Sequence, residues 1–290
     1  MEIVIIKGGL GNQMSQYAFY LAKKKRNKKV RVIFNPASKN IHNGSELDRV
    51  FNIKYANSII NKILTLIYKY YDGIPKLRKY FHFFNITSIV EQKNYDYNPT
   101  FLQKIRKKGI YFYVGGWHSE KYFKDIEGQI RQTFSFKLPK NNSELSKIAQ
   151  IIKQQPFSVS VHIRRGDYIN HPNFWGVANE IYYKKAISLV KDMVVNPHFF
   201  VFSNDLKWSD NFFKSLNVNY TLCDVGKGNN SYLDMYLMTL CQIHINANST
   251  FSWWGGWLAD SKSITICPKK FMINIITKDI YPDNWIKIAT

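Results

Sequence analysis

Apolar and polar positions alternate along this chain in two rhythms, and the pattern is most regular from residue 157 onward. Short apolar runs bounded by polar turns predict strands over 157–163, 198–202, 218–223, 243–246 and 263–267. Between them, apolar residues at a spacing of three and four predict helices over 180–195, 206–216 and 232–242, with a shorter one from about Ser252. The amino-terminal half opens the same way, with a strand over 3–6, a helix over 12–25 and a strand over 30–34. It then loses regularity before the aromatic run from Tyr111 to Trp117. Strands that alternate with helices imply a parallel, doubly wound sheet covered on both faces. A polar turn from Pro139 to Ser143 divides the halves. The expected architecture is α/β, with two Rossmann-like domains, 1–140 and 141–290, facing across a cleft.

One segment breaks this rhythm. Over 56–71, Ile59, Ile60, Ile63, Leu64, Ile67 and Tyr71 fall along one helical stripe, and Lys62 and Lys69 interrupt any membrane span. Such a helix either packs on the protein's own core, the commoner fate, or lies on an anionic membrane face. The first residues have too short an apolar core for a signal peptide. The expectation is a cytoplasmic protein with at most peripheral contact at the inner face of the membrane. Cys223, Cys241 and Cys267 show no paired spacing and sit among apolar neighbours, which suits reduced structural thiols.

Composition adds a constraint on partners. The 290 residues carry 41 Lys+Arg against 20 Asp+Glu, a formal charge of +21, which attracts polyanions: nucleic acid, an anionic membrane or a phosphorylated substrate. Much of the excess lies in the runs over 23–29 and 104–108, expected to be solvated faces. The 7 Trp, 19 Tyr and 20 Phe mostly occupy apolar periodic positions, and no RNA-recognition or helix-turn-helix signature accompanies the charge. A nucleic-acid-binding protein is therefore the alternative, not the preferred reading.

The motif with most chemistry is His162-Ile163-Arg164-Arg165-Gly166-Asp167, delivered by the strand over 157–163 to its carboxyl end, where open α/β sheets bind ligands. Two successive guanidiniums suit a diphosphate, whereas a surface ion pair between Arg164 and Asp167 is the plainer explanation. The next strand ends in Ser203-Asn204-Asp205, and the third in Cys223-Asp224. A carboxylate such as Asp224 can accept two hydrogen bonds from guanine, a fork adenine does not offer. Ser249, Thr250 and Ser252 open a helix after the fourth strand, where hydroxyls and free N–H groups either cap the helix or hold a phosphate. Near the amino terminus, Gly8-Gly9-Leu10-Gly11-Asn12-Gln13 turns the first strand into a helix. It departs from a dinucleotide fingerprint, with Met14 in the third glycine position and Asn35 where an acid is expected. Gly9, Gly11 and Asn12 still offer backbone N–H groups to an anion or a sugar hydroxyl, or form a tight turn with no ligand. No Asp-x-Asp, Walker A sequence or nucleophile elbow occurs.

Taken together, the glycine turn at 8–13, the block 162–168, the block 202–205 and the block 234–257 resemble the bacterial alpha-1,2-fucosyltransferases, in the family that includes the blood-group H enzymes. The resemblance spans nearly the whole chain. It implies a GT-B fold with GDP-L-fucose held by the carboxyl-terminal domain and a galactose-terminated glycan held mainly by the amino-terminal one. It further implies inverting transfer to the galactose 2-hydroxyl with no metal or other cofactor. Arg164 would then be the principal phosphate ligand, supported by Arg165. His162, Asn204 and Asp205 would fall in donor-site motifs, Asp224 would read guanine, and Ser249, Thr250 and Ser252 would meet the diphosphate. Inversion needs a proton acceptor, for which Asp167 is the motif's own carboxylate, with Glu46 and Asp48 as further candidates. The loop from Tyr168 to Val177 is expected to shape the acceptor pocket.

Overall fold

A computed structural model describes residues 1–38, 43–54 and 58–289. Residues Met1–Lys137 with Lys278–Ile280 form one compact unit, and Leu138–Thr277 with Tyr281–Thr290 a second.

The first unit is built on β1 (Glu2–Ile6), β2 (Arg31–Phe34), β3 (Ile86–Val90) and β4 (Ile110–Val114), in the order β2-β1-β4-β3 with every pair parallel. Its helices are α1 (Leu10–Arg26), α2 (Leu47–Phe51), α3 (Ile59–Gly73), α4 (Arg78–Phe83) and α5 (Glu127–Thr133). Ile3, Ile5, Ile33 and Phe112 meet Leu64, Tyr68 and Tyr71 of α3 in one core cluster. The basic run at the end of α1 is not wholly solvated. Lys23 is 1% exposed, lies 2.7 Å from Glu2 Oε2 and sits over the Tyr113 ring. Removing either partner would strand a buried charge at a cost of about 3–5 kcal/mol.

The second unit carries β5 (Ser158–Ile163), β6 (His198–Ser203), β7 (Tyr220–Cys223), β8 (Ile243–Ile245), β9 (Ile264–Pro268) and β10 (Ile286–Ile288). They form a wholly parallel sheet in the order β10-β9-β8-β5-β6-β7. Its helices are α6 (Ser143–Gln154), α7 (Glu180–Met193), α8 (Leu206–Leu216), α9 (Tyr232–Thr239) and α10 (Thr250–Leu258). The two faces of this sheet differ. Val159, Val161, Ile163, Ile243 and Ile245 pack on α7 and α8, whereas Ser160, His162, His244, Asn246 and Thr265 occupy the alternate positions and are also buried. Ser160 Oγ and His244 Nδ1 lie 2.8 Å apart on that polar face. Gly256 lets α10 settle there, since a Cβ at that position would lie 3.0 Å from Asn246 Nδ2.

The strand order places the topological switch point of this unit between β5 and β8, because the chain runs from β5 outward to β7 and returns on the other side. Ligands bind at the carboxyl ends of strands flanking such a point. The α/β class and GT-B type expected from the sequence hold, with two Rossmann-like parallel sheets. The three cysteines are free and buried. Among the described residues no helix is long and apolar enough to cross a membrane.

Candidate active site

β5 delivers its last residues, His162 and Ile163, into the core and releases Arg164 at the sheet's rim. Arg164 Nη2 donates to Asp167 Oδ2 at 2.9 Å, while Nε lies 2.8 Å from Oδ1 without the alignment of a hydrogen bond. Asp167 therefore faces the guanidinium side-on and fixes its plane. Both groups are partly exposed, so the pair keeps contact with solvent and with any incoming anion.

Arg165 is held differently. Its Nε donates to Asp205 at 3.1 Å, and its guanidinium lies over the Trp208 ring, 4.1 Å from the centroid, and over the Trp175 ring, at 5.3 Å. Such a stack immobilises the arginine and contributes roughly 0.5–2 kcal/mol per ring, depending on solvent exposure. Asp205 spends its other oxygen capping α8 at Trp208 N. Asn204 accepts from Arg165 N at 2.8 Å and points its amide toward Asp167 at 3.4 Å. A Cβ at Gly166 would lie 2.4 Å from that amide, so the close approach requires glycine. Asn204 and Asp205 thus act on the arginine turn and build it from β6.

The other side of the switch point is the start of α10. Ser249 is its N-cap, with Oγ accepting from Phe251 N, and no acid occupies the first turn. The positive end of this helix is not offset by an acid of its own first turn, which suits an anion. Thr250 is half-buried at the first position. Ser252 is not brought to the rim: it is fully buried, and its hydroxyl donates to the carbonyls of Ala247 and Ser249. Its inward rotamer follows from sitting on the helix face turned to the sheet, which the sequence alone did not reveal.

His162 is 5% exposed and its Nδ1 has no hydrogen-bond partner. Burial, reinforced by the Arg164 charge, pushes the imidazole down to about 3, so the ring is neutral at pH 7. At the end of β7, Asp224 is exposed and pairs with Lys227 at 2.6 Å. Behind it, Asp234 on α9 accepts from Gly226 N at 2.9 Å and anchors the turn that presents Asp224. Burial raises the Asp234 carboxyl to about 7. The loop from Tyr168 to Val177 packs on its own unit: Tyr168 stacks on Phe174 and donates to Asn248 O, and Asn248 Nδ2 donates to Phe174 O and Phe271 O. Phe174, Trp175 and Gly176 of the loop line an open cavity of ≈ 350 Å³ together with Arg164, Arg165, Tyr183 and Trp208.

In the first unit the glycine turn ends β1. Gly8 has φ +79°, a left-handed conformation, and a Cβ there would press on Asn12. Gly9 precedes α1 without a side-chain cap, Gly11 is buried and Asn12 is half-buried. Gln13 ties the turn to the next loop, donating to Gly8 O and Gly44 O and accepting from Glu46 N. Glu46 is buried and accepts from Arg49 at 2.9 Å, whereas Asp48 is exposed on α2. Sequence reasoning missed Glu91, which directly follows β3. Its Oε2 accepts from Gly116 N and Trp117 N, its Oε1 has no partner, and burial raises it to about 7. An acid placed straight after an apolar run was the available signal, but β3 itself was not foreseen. Asp234, inside an apolar helix, gave a similar signal.

The chain is 31% identical to an alpha-1,2-colitosyltransferase of Escherichia coli, over 99% of both chains. It is 29% identical to the O-antigen biosynthesis glycosyltransferase WbnK of Escherichia coli, over 98% of this chain and 99% of the relative. A galactoside alpha-(1,2)-fucosyltransferase 2 of Rattus norvegicus is 28% identical, over 89% of this chain and 66% of its own length. In fold, the chain is similar to the fucosyltransferase NodZ from Bradyrhizobium, with a TM-score of 0.52 at 12% identity over 89% of this chain and 92% of that one. Neither the site nor these relatives support the nucleic-acid-binding alternative. The model of glycosyl transferase family 11 matches residues 1–289, and the chain belongs to that family.

Proposed function

We propose that the chain transfers L-fucose from GDP-β-L-fucose to the 2-hydroxyl of a galactose-terminated glycan, with inversion and without a metal ion. The observation that carries this reading is the pairing, across one switch point, of the Asp167-oriented Arg164 with the acid-free start of α10. As the bond from fucose C1 to the diphosphate oxygen breaks, negative charge grows on the leaving GDP. A guanidinium fixed beside that oxygen stabilises the charge as it forms, and removal of one such donor costs about 10²–10³ in turnover. Asp224 reads the guanine edge once the exposed Lys227 gives way, and the neutral His162 offers a ring nitrogen to the same nucleotide. The acceptor hydroxyl attacks C1 and passes its proton to a carboxylate. Gly9, Gly11 and Asn12 supply N–H groups at a sugar hydroxyl. Relatives named for alpha-1,2 transfer support the linkage.

The colitosyltransferase relative favours a second reading, in which the donor carries colitose, the 3-deoxy counterpart of L-fucose. Both readings share the clamp and differ only at the sugar. Incubation of the purified protein with each GDP-sugar and a β-galactoside in EDTA, followed by NMR of the product, separates them. Transfer of fucose in an α linkage to O2 is expected. Transfer of the deoxy sugar alone would reassign the donor, and activity restored only by manganese would overturn the metal-free mechanism.

A further inference from the structure

α3 carries apolar residues on two opposite faces. Leu64, Tyr68 and Tyr71 turn inward and are buried on the first sheet. Ile59, Ile63, Leu66 and Tyr70 recur at intervals of four, three and four and point away from it, with Ile63 52% and Leu66 54% exposed. The single stripe expected from the sequence is therefore split between core and solvent, and Ala56, its expected start, lies outside the described residues. A helix apolar on both sides has a second burial partner or a large hydration cost. Further along the chain, at the end of α4, Phe83 is 83% exposed and packs edge-to-face with Phe84.

Charge identifies what covers it. Lys62 and Lys69, two turns apart, line one flank of the stripe, and Lys76 and Lys79 extend the basic border; all four are exposed. From 58 to 84 the only acid is Asp72, held 3.7 Å from Arg78. We propose that this face docks on an anionic lipid bilayer, with α3 lying in the headgroup plane, its isoleucine and leucine side chains in the acyl boundary and its lysines at the lipid phosphates. A second copy of the chain would instead bring two like-charged faces together. The site does not depend on which sugar the enzyme transfers.

Sedimentation of the full chain with vesicles of phosphatidylcholine alone, or mixed with phosphatidylglycerol, tests the proposal. Binding to the anionic vesicles only is expected. Ile63→Glu combined with Leu66→Glu should lower the partition by about tenfold or more. Lys62→Glu with Lys69→Glu should do the same without touching the apolar stripe, which keeps the test informative if the first variant unfolds. Lys107→Glu with Lys108→Glu, in a basic run elsewhere on the surface, should bind nearly as well as the native chain. Equal loss from this control, or binding insensitive to both α3 variants, would overturn the proposal. So would a concentration-dependent dimer, seen by sedimentation velocity, that the Ile63/Leu66 variant abolishes.

Discussion

At the level of single residues, the two adjacent arginines do different work. Arg165 lies over two tryptophan rings and pairs with Asp205, so its charge is spent on holding the turn. Arg164 is oriented by Asp167 but keeps an exposed edge for a ligand. This arrangement bears on whether Asp167 is the base, because both its oxygens face the guanidinium. The expected result for Asp167→Asn is that GDP affinity, read by calorimetry, and turnover fall together, each by about tenfold or more, as a charge-assisted pair is weakened. Lost transfer with native GDP affinity would instead make Asp167 the proton acceptor. The motif itself was legible in the sequence, since a strand ending in charged residues is informative. The division of labour was not, because Trp208 comes from α8, far along the chain from Arg165, and Trp175 from an irregular loop whose path no periodicity foretells.

The elements explain which parts could be read in advance. In the second unit every strand but β10 was anticipated, because each alternates with a helix of regular period and ends in a polar turn. In the first unit β4 was read only as an aromatic run, and β3 escaped altogether: it is a short strand, half-buried over most of its length, between aromatic segments with no clear period. Glu91 went unrecognised with it. Ser252 shows the same limit on a smaller scale, since a helix-opening serine can face either the ligand or the sheet. α9 illustrates how an element anchors a turn through a half-buried acid. Asp234 ties the turn after β7 to α9, and its carboxyl is raised from 3.8 to about 7. A group shifted this way favours the fold most below pH 4, and that contribution disappears as pH rises through 7. Asp234→Asn can still accept from Gly226 N but cannot ionise. Thermal melts from pH 4 to pH 8 should therefore show the native protein losing Tm relative to the variant as pH rises. Parallel curves would mean that Asp234 carries no such cost.

On the scale of the whole molecule, a basic charge of +21 serves more than one purpose. Arg165 uses it to hold the turn, Arg164 keeps it partly exposed at the rim, Lys23 buries it against Glu2, and the lysines along α3 present it beside exposed isoleucines. Composition could state only that polyanions attract this chain. Strand order narrows this, since a single return across β5 creates the switch point flanked by Arg164 and the start of α10, where the proposed function places the diphosphate. Under the proposed function this point holds a guanosine diphosphate through Arg164. Titration calorimetry of the native chain and of Arg164→Lys with GDP, ADP and a mixed oligonucleotide tests it most directly. The account predicts that GDP binds the native chain at least about tenfold more tightly than ADP, a difference of about 1.4 kcal/mol, with no saturable oligonucleotide binding. It also predicts that Arg164→Lys, which keeps the charge but loses the planar fork, weakens GDP by a similar factor. Equal binding of GDP and ADP, or GDP binding untouched in the variant, would contradict it.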